Sequence, residues 1–219
     1  MRRERGFVSE PNAGAPAPVA RGPIRPPGPT RVEAGWEAGG QRRDGPVVLV
    51  DHTPLAKIQV KAAYDGEAAR ILGVPFGRAV RGGVGDLVVG SGPGEWLALG
   101  PPGTQHALRG RLDGALAPAA ARELVTTVDL THGRAMMRLT GARAAEVLTM
   151  LCAIDLDDRR TPDGTAFRSL VAHLATDVIR DDRDGMPSYL LHCETSSGQY
   201  LFDCVVDAGR EFGLVVSGP

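Results

Sequence analysis

From residue 123 onward β-rich runs alternate with amphipathic stretches, and this alternation constrains the fold more than any other feature. Leu124 to Leu130 is a β-rich run. Thr131-His132-Gly133 reads as its turn, and Arg134 to Leu139 as the returning strand of a hairpin. Thr140 is placed to cap a helix in which Ala144, Val147, Leu148, Leu151 and Cys152 make one apolar stripe. Leu170, Ala172 and Leu174 alternate with polar or small residues, a strand pattern that Val178-Ile179 extends. The charged turn Arg180 to Gly185 leads to another strand at Tyr189 to Cys193. Ser196 or Ser197 caps a last helix whose Leu201, Phe202, Val205 and Val206 share a face, and Phe212 to Val216 closes as a strand. The order is β-β-α-β-β-α-β. Helices between hairpins predict an α+β fold, with antiparallel sheets carrying helices on one face.

The first half is less regular. Residues 1–46 hold eight of the 17 prolines, are as dense in glycine, and show no apolar period. Such a segment buries too little surface to offset its ordering entropy, so a disordered tail is expected. Trp36 and the arginines near it are the alternative there, as a docking element. Order is expected from Pro46-Val47-Val48-Leu49-Val50. Val60 to Leu72 reads as helical in part, stopping near Gly73 with Pro75 beyond. Asp86 to Gly90 and Glu95 to Gly100 read as strands around the turn Ser91-Gly92-Pro93-Gly94. Residues 101–121 read as a loop with a short helix. The expected organisation is a tail at 1–46, an N-terminal α/β lobe at 47–122 and an α+β lobe at 123–219.

A net charge of −1 gives no global pull toward nucleic acid or anionic membrane. No apolar run reaches the ~20 residues of a membrane span, and the N-terminus lacks the apolar core of a secretory signal. Cys152, Cys193 and Cys204 are odd in number and lack C-x-x-C spacing, so free thiols in a reducing, cytoplasmic compartment are expected.

Motifs of independent chemistry are weak. Gly82-Gly83-Val84-Gly85 and Gly90 to Gly94 are glycine-rich, but neither opens an apolar helix as a dinucleotide site requires. His52, His106, His132, His173 and His192 offer no pair on one helix face for a metal. His132 falls in a turn, either as a substrate-facing base or as a surface imidazole. His173 and His192 fall inside strands as structural histidines. Neither Gly90-Ser91-Gly92 nor Ser196-Ser197-Gly198 is a nucleophile elbow. Asp155, Asp157 and Asp158 form an acidic turn too poor in ligands for calcium, with Arg159 and Arg160 as surface ion-pair partners.

A resemblance appears at Val128-Asp129-Leu130-Thr131-His132-Gly133-Arg134, then Leu139 to Leu148, then Ile154-Asp155-Leu156. In order and spacing these resemble the opening of the glycine-cleavage T-protein family, a folate-binding aminomethyltransferase superfamily with ferredoxin-like lobes. Pro93 to Pro101, with Gly94-Glu95-Trp96-Leu97, and Leu151-Cys152-Ala153-Ile154-Asp155-Leu156 resemble the gamma subunit family of sarcosine oxidase. The resemblance spans about residues 50–215. It implies a non-catalytic subunit with a structural or assembly role, partnered by the larger flavoprotein subunits. FAD, FMN, NAD and tetrahydrofolate would sit on those subunits, with none held by this chain. It also implies that an active homologue's folate-site aspartate would fall near Thr176-Asp177, making Asp177 the folate candidate, against the reading of an exposed strand-end residue. The rivals are a short folate-binding module acting on its own and a regulatory domain whose tail recruits a partner.

Overall fold

The computed structural model describes residues 17–25, 28–83 and 85–219. Two β-sheets stack face to face, and each carries helices on its outer side. The first contains β3 (Val47–Asp51), β9 (Arg134–Gly141), β10 (Ala166–Val171), β11 (Leu174–Arg180), β12 (Ser188–Glu194) and β13 (Leu214–Ser217), in the order β10-β11-β12-β9-β3-β13. The second contains β4 (Ala56–Lys61), β5 (Ala79–Arg81), β6 (Leu87–Gly92), β7 (Glu95–Gly100) and β8 (Thr126–Asp129), in the order β5-β6-β7-β4-β8. All pairings in these two sheets are antiparallel except β13 with β3.

Side-chain alternation builds the layers. On β7, Trp96 and Ala98 face α1 (Glu67–Leu72) and α2 (Gln105–Ala120), while Leu97 and Leu99 face the other sheet. On β9, Met137 and Leu139 face α3 (Ala144–Thr149) and α4 (Gly198–Gly209), while Met136 faces inward. The period of two therefore serves two cores per strand. The expected α+β class with helices on one face of each sheet is what the chain adopts.

Six expectations need correction. The run at 124–130 does not return on itself. β8 pairs with β4, and β9 pairs with β12 and β3. The turn at 131–133 is a crossover between sheets, pinned where Thr131 Oγ1 accepts the Lys57 amide at 3.1 Å. Likewise β3 belongs to the sheet of the later half. The lobes drawn at 47–122 and 123–219 thus exchange strands, because strand pairing is set by non-local packing and not by chain order.

Thr140 caps nothing. It lies in β9 with its hydroxyl 2.9 Å from that of Ser188. The helix starts later because Gly141 (φ +147) bends the chain against Pro46. A Cβ there would sit 2.3 Å from the Pro46 carbonyl oxygen. His173 is not in a strand but shares the β10–β11 turn with Ala172, both at positive φ (+66° and +48°), the geometry of a two-residue hairpin.

Residues 101–121 form a full 16-residue helix, α2, instead of a loop with a short helix. Leu108, Leu112, Leu116 and Ala119 bury at helical spacing, each leucine contributing about 1.5–3 kcal/mol. Gly110, Gly114 and Pro118 disguise that stripe in the sequence.

The expectation of disorder at 1–46 fails for the described part, while 1–16 and 26–27 lie outside the described residues. β1 (Thr30–Glu33) and β2 (Trp36–Gly39) form a hairpin around Ala34 and Gly35, both at positive φ. Ile24 and Trp36 are 2% and 3% exposed, and Ile24 joins the core beneath α4. Two large apolar anchors hold a segment whose average composition is unfavourable.

Candidate functional site

The interface between the sheets is apolar at its centre. Leu87, Val89, Leu97 and Leu99 meet Met136, Ile179 and Leu190. Ionised groups flank this centre on both sides of Ile179 along β11.

On one side is Asp177, the folate candidate. It is not an exposed strand-end residue but 8% exposed, inside β11 and opposite His192 of β12. Arg168 donates to its carboxylate through Nε at 2.7 Å and Nη2 at 3.2 Å, and His192 Nδ1 lies 3.3 Å from Oδ2. Burial pushes the Asp177 carboxyl up, but the hydrogen bonds from His192 and Arg168 hold it below its ordinary value. Burial holds the His192 imidazole below its ordinary value despite Asp177. A neutral ring donating through Nδ1 leaves Nε2 as a buried acceptor with no partner among the described residues. The cavity bordering Asp177 measures about 10 Å³. That holds at most one water, so the residues at Asp177 do not fit a pteridine.

On the other side is Asp181, within the run read as a charged turn. It is 3% exposed and receives Arg138, Arg183 and Arg81. Nearby, Lys57 is fully buried and donates to the carbonyls of Thr53 at 2.6 Å and Leu55 at 2.7 Å. Burial pulls its amine down to about 7, with Asp51 and Asp129 opposing. Sequence reading missed Lys57 and Asp181 because neither lies in a motif. For Lys57 the signal was a charge at an inward position of a strand, whereas Asp181 lies just past the end of β11.

The remaining candidates disperse. The His132 ring stacks on Trp36, with centroids 4.6 Å apart and planes 12° apart, so it anchors the N-terminal strap. In the acidic turn, Asp157 pairs with Arg159 at 2.8 Å, but Asp158 reaches the buried Arg180 at 2.6 Å. Gly90 and Gly92 lie in β6, and Gly94 makes the turn into β7. Burial pushes the Cys193 thiol up to about 11, which leaves it protonated and unreactive at neutral pH. Among the described residues no three metal-ligating side chains cluster, and no helix is long and apolar enough to cross a membrane.

The outer surface offers a different feature. Beyond α3, the β10–β11 turn and α4 enclose an open groove of about 620 Å³. Met150, Leu170 and Tyr200 line it and are 56%, 61% and 53% exposed. Leu151, Ala172 and Cys204 lie between them. Large side chains grouped at such exposure make this groove a candidate interaction surface.

Comparison with known proteins follows the same lines. A search of curated proteins finds no match. Heterotetrameric sarcosine oxidase from Corynebacterium sp. U-96, solved with pyrrole 2-carboxylate, contains a similar chain. The TM-score is 0.65 at 23% identity, covering 78% of this chain and 88% of that one. Glycine cleavage system aminomethyltransferase T from Bartonella henselae also matches with a TM-score of 0.65, at 13% identity, over 87% of this chain and 55% of that one. Both share the fold. The family model for sarcosine oxidase, gamma subunit, matches residues 69–211, well over half of the sequence, and the chain belongs to the sarcosine oxidase gamma subunit family.

Proposed function

We propose that this chain is the gamma subunit of a hetero-oligomeric sarcosine oxidase, with a structural and assembly role in the oxidative demethylation of sarcosine to glycine. Flavin, nicotinamide and tetrahydrofolate chemistry belongs to the larger subunits in this reading. The observation that carries it is the exposed apolar groove of Met150, Leu170 and Tyr200, set on a fold whose internal carboxylates are engaged by their own arginines. A folate-binding module acting alone requires a pteridine-sized cavity with a carboxylate at its base, and the cavity at Asp177 is about 10 Å³.

The groove fits the apolar core of a subunit interface, where a few large side chains dominate affinity. The test is the double substitution Met150→Asp with Leu170→Asp, co-expressed with the larger subunits. These side chains are exposed, so the variant keeps the wild-type circular dichroism spectrum. The expected result is at least about a tenfold loss of co-elution on size exclusion. Unchanged co-elution sinks the assignment of this groove.

A further inference from the structure

A second cavity, of about 270 Å³, opens between the sheets and is lined by the three arginines that hold Asp181. Leu87 and Leu99 from one sheet and Leu190 from the other give it apolar walls. Its charged lining is Arg81, Arg138, Arg183 and Asp86.

The arginines are not equivalent. Arg138 is spent: Nη2 donates to Asp181 Oδ2 at 2.7 Å, and Nη1 donates to the Ser188 hydroxyl at 2.8 Å and the Asp181 carbonyl at 3.2 Å. Arg183 reaches Asp181 through Nη2 at 3.2 Å, and Arg81 also through Nη2. Their side chains are 46% and 44% exposed, against 4% for Asp181. Three guanidinium groups on one carboxylate leave two positive charges, and Asp86 offsets one. His52 adds none at neutral pH, since burial pulls its ring down to about 3. The cleft therefore holds an excess positive charge against apolar walls, where focusing of the field is strongest. Guanidinium forks match a carboxylate in two-point geometry.

We propose that this cleft binds a carboxylate borne on a small apolar body, an aryl or branched-alkyl acid, with Arg81 and Arg183 as its donors. The volume lies just below the usual range of small-molecule sites, which restricts the ligand to about the size of one ring. This inference is independent of the subunit assignment and of the outer groove.

The experiment is a calorimetric titration of the full chain with benzoate, with benzamide as the uncharged isostere. Benzoate is expected to saturate at or below millimolar concentration and benzamide to give no heat. Arg81→Gln and Arg183→Gln should each weaken benzoate by about tenfold, and Asp86→Asn should tighten it a few-fold. If an Arg→Gln variant fails to melt cooperatively, Arg→Lys, which keeps charge and loses the fork, is read in its place. Repeating the titration on the assembled complex identifies the source. Retained binding assigns the cleft to a free acid, and binding lost only on assembly assigns it to a carboxylate supplied by a partner subunit. No saturation of the free chain by about 10 mM, equal binding of benzamide, or benzoate binding unmoved by both arginine variants overturns the proposal.

Discussion

Asp177 lies in β11 and Asp181 one residue past its end, four residues apart, and their surroundings are opposites. Asp177 has one half-exposed arginine, a buried neutral histidine and a cavity of about 10 Å³. Asp181 has three arginines, and these line a cavity of about 270 Å³. The carboxylate singled out by family resemblance is closed and balanced. The one without a motif is equally buried, but it is over-compensated by arginines that line an open cleft. A residue's place in a family pattern fixes its address in the fold, whereas its neighbours' charges decide what it does there.

The contrast gives graded expectations. Asp181→Asn leaves Arg138 buried without its counter-charge, and should cost about 3–5 kcal/mol in chemical denaturation. Trp36→Ala removes the anchor of the N-terminal strap from His132 and should cost about 3–5 kcal/mol if the strap is integral. A loss below about 0.5 kcal/mol would mean the strap is dispensable. Asp177→Asn should cost less than Asp181→Asn, about 1–3 kcal/mol, because Arg168 can turn to water. An equal or larger loss would erase the distinction between the two carboxylates. The Asp177 contribution rests on a carboxyl held low, so it is present above the unfolded value near 3.8 and fades as pH falls through the folded value.

Lys57 should show a dependence of the same sign in a higher pH window. Its folded amine titrates near 7 against 10.5 when unfolded, so between those values the unfolded chain binds more protons. Stability from this group should therefore rise from pH 7 toward pH 10, by about 1.4 kcal/mol per unit at most. Lys57→Met should flatten that slope in melts at constant ionic strength. Arg168→Gln is the mildest case, about 1 kcal/mol or less, since the guanidinium is half in water.

What was legible in the sequence was local. Glu95 to Gly100 alternates against two cores, Gly73 ends α1 in the left-handed conformation its position requires, and Leu201, Phe202 and Val205 share the buried face of α4. What was not legible depended on distant partners. Nothing in 124–139 says that its two strands enter different sheets, because that choice is made by their distant partners β4 and β3. Composition hid α2 behind Gly110, Gly114 and Pro118, and hid the strap, where Ile24 and Trp36 outweigh the prolines around them. The address of Asp177 inside β11 was readable, but its burial was not. The Asp181 cluster draws its arginines from positions 81, 138 and 183, a separation no local pattern reveals.

The central claim, a non-catalytic assembly subunit, is tested most directly by co-expressing this chain with the larger flavoprotein subunits, capturing it by affinity and sizing the product, with tetrahydrofolate calorimetry on the isolated chain. The account predicts flavin-containing subunits eluting with it in fixed ratio and no folate heat. A stable lone monomer that binds tetrahydrofolate would contradict it.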